Sequence, residues 1–168
     1  MNKLNIIPIQ KEYVTEISEY CFNQWNQECK TLNINSISDY ESDMLNNYFI
    51  ENNTSDNISD NNFTPVCLIA LLDKELVGSI ELIKDDLPNY NEYNPWIASL
   101  YVKPTYRKKN IGKQLVQKLI EKAQTQNIKN LYLWTNNQNI QFYEKLGWKN
   151  IEQLYYCDNL INIMILQI

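Results

Sequence analysis

Four positive side chains, Arg107, Lys108, Lys109 and Lys113, surround a single glycine, Gly112, in the segment YRKKNIGKQL. The apolar run WIASLYV precedes it and is stopped by Pro104. After it, Ile111, Leu115, Leu119, Ile120 and Ala123 recur at helical spacing to about Asn127. A strand, a short turn and a helix start are therefore expected around the charges. Unpaired amides and a partial positive charge make a helix start a seat for phosphate. Gly112 lets a ligand approach the backbone, and Asn110 is one of the few non-glycine types that tolerate a left-handed turn. The whole chain carries a formal net charge of -5. A local anion seat gives the basic cluster a role in an acidic protein; a solvated basic helix start is the alternative.

The residue inventory narrows the chemistry further. The chain has no histidine, which removes the commonest general base, the commonest metal ligand and every Ser-His or Cys-His nucleophile. No metal site is expected. Cys21, Cys29, Cys67 and Cys157 are scattered without a C-x-x-C pair. Chemistry must then run on Tyr, Asp, Glu, Lys, backbone amides or water. With glycines at 78, 112 and 147 and nowhere else, neither a Walker loop nor a dinucleotide fingerprint can be built. Glu81 lies in an apolar run, LVGSIELI, where alternation places it on one face with Ser79 and Ile83. It is a candidate base, with a solvated edge carboxylate as the other reading. Asp85, Asp86 and Glu92 follow in a loop rich in tyrosine.

These residues need elements to hold them. At 168 residues, with 44% hydrophobic and 12% aromatic residues, the chain suits one globular domain over 1–168. LNIIPIQ reads as an edge strand limited by Pro8. Val14, Ile17, Cys21 and Trp25 mark a first helix. Tyr40, Met44 and Tyr48 share a face of a second, for which Ser38 and Glu41 form a capping-box pattern. Residues 51–64 are biased to Asn, Asp, Ser and Thr and read as a mobile loop. PVCLIALL and LVGSIELI form a hairpin around DKE; WIASLYV and NLYLWT are further strands; NIQFYEKLG is a short helix capped at Gly147. A closing hairpin turns at Asp158-Asn159. The sum is an α/β (α+β) fold: a mixed, mostly antiparallel sheet of about seven strands flanked by about four helices. No apolar run approaches the roughly 18 residues of a membrane span, no signal peptide is read at the N-terminus, and a cytoplasmic location is expected.

Arg107-Lys108-Lys109-Asn110-Ile111-Gly112 resembles the pyrophosphate loop [QR]-x-x-G-x-[GA] of the GNAT superfamily of acetyl-CoA-dependent N-acetyltransferases, with Asn110 in place of the first glycine. Downstream, Asn136, Tyr143, Gly147 and Trp148 fall at the spacings of that family's N-x-x-A-x-x-x-Y-x-x-x-G-[FW] pattern, with Asn139 where Ala is usual. The resemblance covers about residues 66 to 168. It implies acetyl-CoA held by the amides of Leu100, Tyr101 and Val102, by the loop from Arg107 to Lys113, and by Asn136. It implies Tyr143 as the proton donor to the leaving thiolate, with a core-facing aromatic as the alternative, and a strand-end turn residue as the alternative for Asn136. Glu81, Asp86 and Trp96 are the expected acceptor contacts. The implied activity is acetyl transfer to a small-molecule or peptide amine, cationic by the acidity of the 85–96 loop. The other function class is a catalytically weak CoA-binding sensor or scaffold of the same fold. Homodimerisation stays open. Nucleic acid is excluded, since a few basic residues in an acidic chain give little counterion release.

Overall fold

The computed structural model describes residues 3–49 and 63–168, so most of the expected loop at 51–64 lies outside the described residues. Seven strands run in the order β1-β2-β3-β4-β5-β7-β6: β1 Leu4–Pro8, β2 Val66–Leu72, β3 Glu75–Ile83, β4 Trp96–Val102, β5 Asn130–Asn136, β6 Lys149–Tyr156 and β7 Asn159–Gln167. All neighbours are antiparallel except β4 and β5. β1 lies at the edge, where Pro8 costs no ladder bond to a further strand. The β2-β3 hairpin turns on Asp73 and Lys74, both at positive φ, the twist-matched geometry of a two-residue loop. The closing hairpin turns at Cys157 and Asp158, also at positive φ, one residue earlier than the Asp158-Asn159 expectation.

Among the described residues five α-helices cover the sheet: α1 Val14–Gln24, α2 Asn26–Thr31, α3 Ile37–Phe49, α4 Ile111–Thr125 and α5 Ile140–Glu144. α2 adds one to the expected four, being too short for periodicity to show. The start of α3 also differs. Ser36 Oγ accepts from the Asp39 amide, and Asp39 accepts from the Asn35 amide, so the cap sits two residues before the Ser38 pattern.

β2 explains the layering. Leu68 and Ala70 pack with α4 residues Leu115 and Leu119, whereas Cys67, Ile69 and Leu71 pack with Ile17, Cys21 and Met44 of α1 and α3. A strand buried on both faces must be apolar throughout. A third cluster joins Leu87, Trp96, Ile161 and Ile163 under an aromatic group.

Two irregularities in β4 open the sheet. Ser79 pairs with Tyr101 and Glu81 with Ala98, so β4 takes three steps where β3 takes two. The extra residue is a bulge, and Ser99 there has φ 52. On the other side, β4 and β5 are in register only at Trp96 and Tyr132; beyond that pair the strands diverge. Gly78 permits the close approach on the bulged side, since a Cβ there would lie 2.6 Å from the Tyr101 carbonyl oxygen.

Candidate active site

The divergence of β4 from β5 leaves the inner edge of β4 without strand partners, and the bulge turns its backbone at Ser99 and Leu100. A cleft of about 400 Å³ lies there, reached by Ala98, Ser99 and Leu100 of β4 and by Trp134, Asn136 and Tyr143 across from them. α2 and α3 close one side. α2 is fixed to β6 by a hydrogen bond between the Thr31 and Tyr156 hydroxyls. The loop after β3 forms another wall. It is fastened to β6, where the Tyr90 and Tyr93 hydroxyls donate to the two oxygens of Glu152 at 3.0 and 3.2 Å, and Tyr93 stacks on Tyr132 with centroids 5.0 Å apart.

Glu81 is buried, 6% exposed, which removes the reading of a solvated edge carboxylate. It lines the cleft. Tyr48 Oη donates to its Oε2 at 2.7 Å and Tyr40 Oη to its Oε1 at 3.1 Å. Tyr40 Oη also meets Ser99 Oγ at 3.1 Å. Burial pushes the Glu81 carboxyl above the usual range, and the hydroxyls of Tyr48, Ser99 and Tyr40 pull it back. Asp86 is raised strongly by burial and then by the charge of Glu81; the Trp134 indole N–H pulls the other way, although it falls short of regular hydrogen-bond geometry.

Tyr143 is 8% exposed, projects from α5, and reaches the cleft lining. Its ring meets Phe142 and Trp148 edge-on, so the side chain packs with the core and also belongs to the cleft lining. Burial, and after it the Asp86 charge, raise its pKa well above that of an ordinary phenol. It therefore keeps its proton through the neutral range.

The loop before α4 takes the left-handed turn expected at Asn110. Asn110 caps α4 at φ 61, ψ 9, in the left-handed region, so Asn supplies the turn that a glycine would otherwise take. Lys108 is left-handed as well, at φ 61. A Cβ on Gly112 would meet Val102 and Phe142 at 3.7 and 3.8 Å, ordinary contacts. Neither packing nor a positive φ demands glycine there.

A family model described as the acetyltransferase (GNAT) family matches residues 20–148. The chain belongs to the GNAT acetyltransferase family. GCN5-related N-acetyltransferase 2, chloroplastic, from Arabidopsis thaliana is 30% identical over 77 residues, 46% of this chain and 28% of that protein; the match thus spans less than a third of that relative. Among solved structures, an aminoglycoside 6'-N-acetyltransferase complexed with coenzyme A is 18% identical, covers 97% of this chain and 96% of its own, and superposes with a TM-score of 0.68, a likeness of fold. A putative streptothricin acetyltransferase from Bacillus anthracis str. Ames in complex with acetyl coenzyme A is 27% identical over 62% of each chain, with a TM-score of 0.52.

In this GNAT chain several expected contacts are reassigned by packing. Trp96 is fully buried and packs on Tyr93 and Tyr132; it supports the cleft from the core rather than touching an acceptor. Ile111 is 4% exposed and its side chain belongs to the core with Leu115, which leaves only its backbone for the phosphate loop. Arg107 donates from Nε to the Val102 carbonyl at 2.9 Å and lies over the Tyr101 ring, while Tyr101 stacks on Tyr20 with centroids 4.1 Å apart. Arg107 thus ties the loop to the end of β4. Lys109 lies over Tyr106; Lys108 and Lys113 are exposed. Glu92 is exposed and outside the cleft lining. In its place the helical half contributes Glu28 and Asp43, which no motif in the sequence marks, and Tyr40 and Tyr48 bond Glu81. Their shared face was legible at i, i+4, i+8 spacing; the carboxylate they serve was not.

Proposed function

We propose that this chain moves an acetyl group from acetyl-CoA to a primary amine by direct attack in a ternary complex, and that the amine is cationic. The observation that carries the reading is the opened edge of β4, bordered by a buried carboxylate, Glu81, and a buried phenol that keeps its proton, Tyr143. The residues present fit acetyl-CoA: the left-handed Asn110, the side-chain-free surface at Gly112 and the amides of residues 108 to 113 suit a pyrophosphate, and Asn136 lines the cleft with a free range of amide contacts for the pantetheine arm.

Acetyl-CoA, when bound, supplies an acetyl group on a thioester sulfur. The chain's own residues do the rest. The β4 amides near Leu100 to Val102, released from β5, serve as donors where negative charge develops on oxygen. Glu81 accepts the proton that the attacking ammonium must lose. Tyr143 Oη holds the proton that the departing sulfur requires. No enzyme nucleophile is needed, in keeping with a chain that has no histidine.

The cationic preference is supported by the lining. Glu28, Asp43, Glu81 and Asp85 share the lining with one lysine, Lys84, so a cation is concentrated there, and a bound cation would in turn favour the ionised form of Asp86. The test is a thiol-release assay with acetyl-CoA over polyamines, aminoglycosides, peptide amines, and neutral and acidic amines. Turnover led by the cationic classes supports the proposal. Measurable acetyl-CoA binding with no turnover of any amine would replace it with the sensor or scaffold reading.

A further inference from the structure

Glu81 sits in a wall that otherwise disfavours charge. From α1 come Tyr20 and Cys21, from β2 Cys67, and from α2 Cys29; burial raises the pKa of each, so all stay neutral. Asp43 adds negative charge, and the Glu81 charge in turn helps to raise Asp86, which burial already raises strongly. The basic residue on the lining is Lys84. An ionised carboxylate here depends on donors, and α3 supplies two of them. Tyr40 and Tyr48 stand eight residues apart on its inner face, and each gives its hydroxyl proton to a different oxygen of Glu81. With its proton so directed, Tyr40 accepts from Ser99 Oγ, the left-handed residue of the β4 bulge. One chain of hydrogen bonds therefore joins the carboxylate to the strand whose amides face the reacting carbonyl.

Resting on the acetyltransferase reading, we propose that Tyr40 and Tyr48 are positioning residues for acetyl transfer: they hold Glu81 ionised and aimed into the cleft, and Tyr40 fixes it to the Ser99 bulge. Neither phenol gains or loses a proton over the cycle; each stabilises the charged form of Glu81, which takes one proton from the acceptor and returns it to solvent. α3 thereby sets the pH at which the site begins to work.

The test uses the full chain as wild type, Tyr40→Phe, Tyr48→Phe and Glu81→Gln, labelled with 13C at glutamate carboxyls. Glu81→Gln assigns the Glu81 signal, and its titration midpoint is then read by NMR without any need for turnover. In parallel, kcat/KM against pH is measured with acetyl-CoA and spermidine. The midpoint should rise by about one pH unit in Tyr48→Phe, which loses the shorter bond, and by about half a unit in Tyr40→Phe. The acid limb of kcat/KM should move with it, while the affinity for acetyl-CoA stays within about twofold. Phenols that only fill space would lower activity equally at every pH. Unmoved midpoints in both variants overturn the proposal, as does a moved midpoint with an unmoved acid limb. A wild-type protein that turns over no amine fails the acetyltransferase reading instead, and the NMR titration still decides whether the phenols control Glu81.

Discussion

In the proposed mechanism Tyr143 gives a proton and Glu81 takes one, and their surroundings shift both groups in the same direction. Burial raises each pKa. For Tyr143 this keeps the hydroxyl protonated well beyond neutral pH, so the donor stays available on the alkaline side. For Glu81 it delays ionisation, so the base is lost as pH falls through the raised value. Activity should therefore fall on the acid side and hold on the alkaline side up to pH 9, checked by kcat/KM from pH 5 to 9. Tyr143→Phe keeps the ring contacts with Phe142 and Trp148 and removes the proton. A kcat loss on the order of 10- to 1,000-fold is expected, in line with general-acid contributions, with acetyl-CoA affinity unchanged by isothermal titration. Full activity in this variant would show that water protonates the sulfur.

At the scale of elements, two glycines separate binding from folding. Gly112 opens α4 in a place where a methyl group meets only ordinary contacts. Gly112→Ala, a residue that the loop pattern admits at this position, should leave stability unchanged or raise it by up to about 1 kcal/mol, the helix-propensity difference, and keep acetyl-CoA affinity within about threefold, while Gly112→Asp, which sets a negative charge at the helix start, should lower that affinity at least tenfold. Gly78 faces the Tyr101 carbonyl at 2.6 Å from a built Cβ, and the atom it would strike is backbone. Gly78→Ala must push β3 from β4 beside the bulge, so a loss of about 1–3 kcal/mol is expected by urea denaturation. Equal effects of the two alanine substitutions on stability would contradict the roles given to them.

Across the whole molecule, the carboxylates of the cleft and the basic residues at the start of α4 form two groups of opposite sign, the second outside the cleft lining. The chain is acidic, with net charge -5, and carboxylates from α2, α3, β3 and the following loop meet at the cleft, whereas Arg107, Lys108, Lys109 and Lys113 gather at the start of α4. kcat/KM for spermidine should fall at least threefold between about 20 and 300 mM salt, as screening shortens the reach of the field, and a neutral primary amine should show no such dependence. A salt-independent value for spermidine removes the cationic preference and leaves the acetyltransferase proposal in place.

Residue types and spacing alone determined a good deal: the strand, turn and helix around Gly112, the left-handed turn at Asn110, the Asn136 to Trp148 pattern, and chemistry without histidine. These are local properties, because periodicity, stop signals and turn preferences are written in neighbours along the chain. The alternation that puts Glu81 on the face of Ser79 is undisturbed, since the bulge against β3 adds its residue to β4 and the extra residue of β3, at Val77, lies before Ser79. Tertiary structure decided what depends on residues distant in sequence. Trp96 and Ile111 stand in segments expected to bind or line the site, yet their own side chains turn into the core, and no local pattern distinguishes a ring beneath a cleft from one within it. Glu28, Asp43, Tyr40 and Tyr48 reach the site because α2 and α3 pack across the sheet over Glu81. The extra residue in β4 and its parting from β5 are properties of pairing between strands, set by what lies opposite rather than by what comes next, and they create the opening around which every other group is arranged.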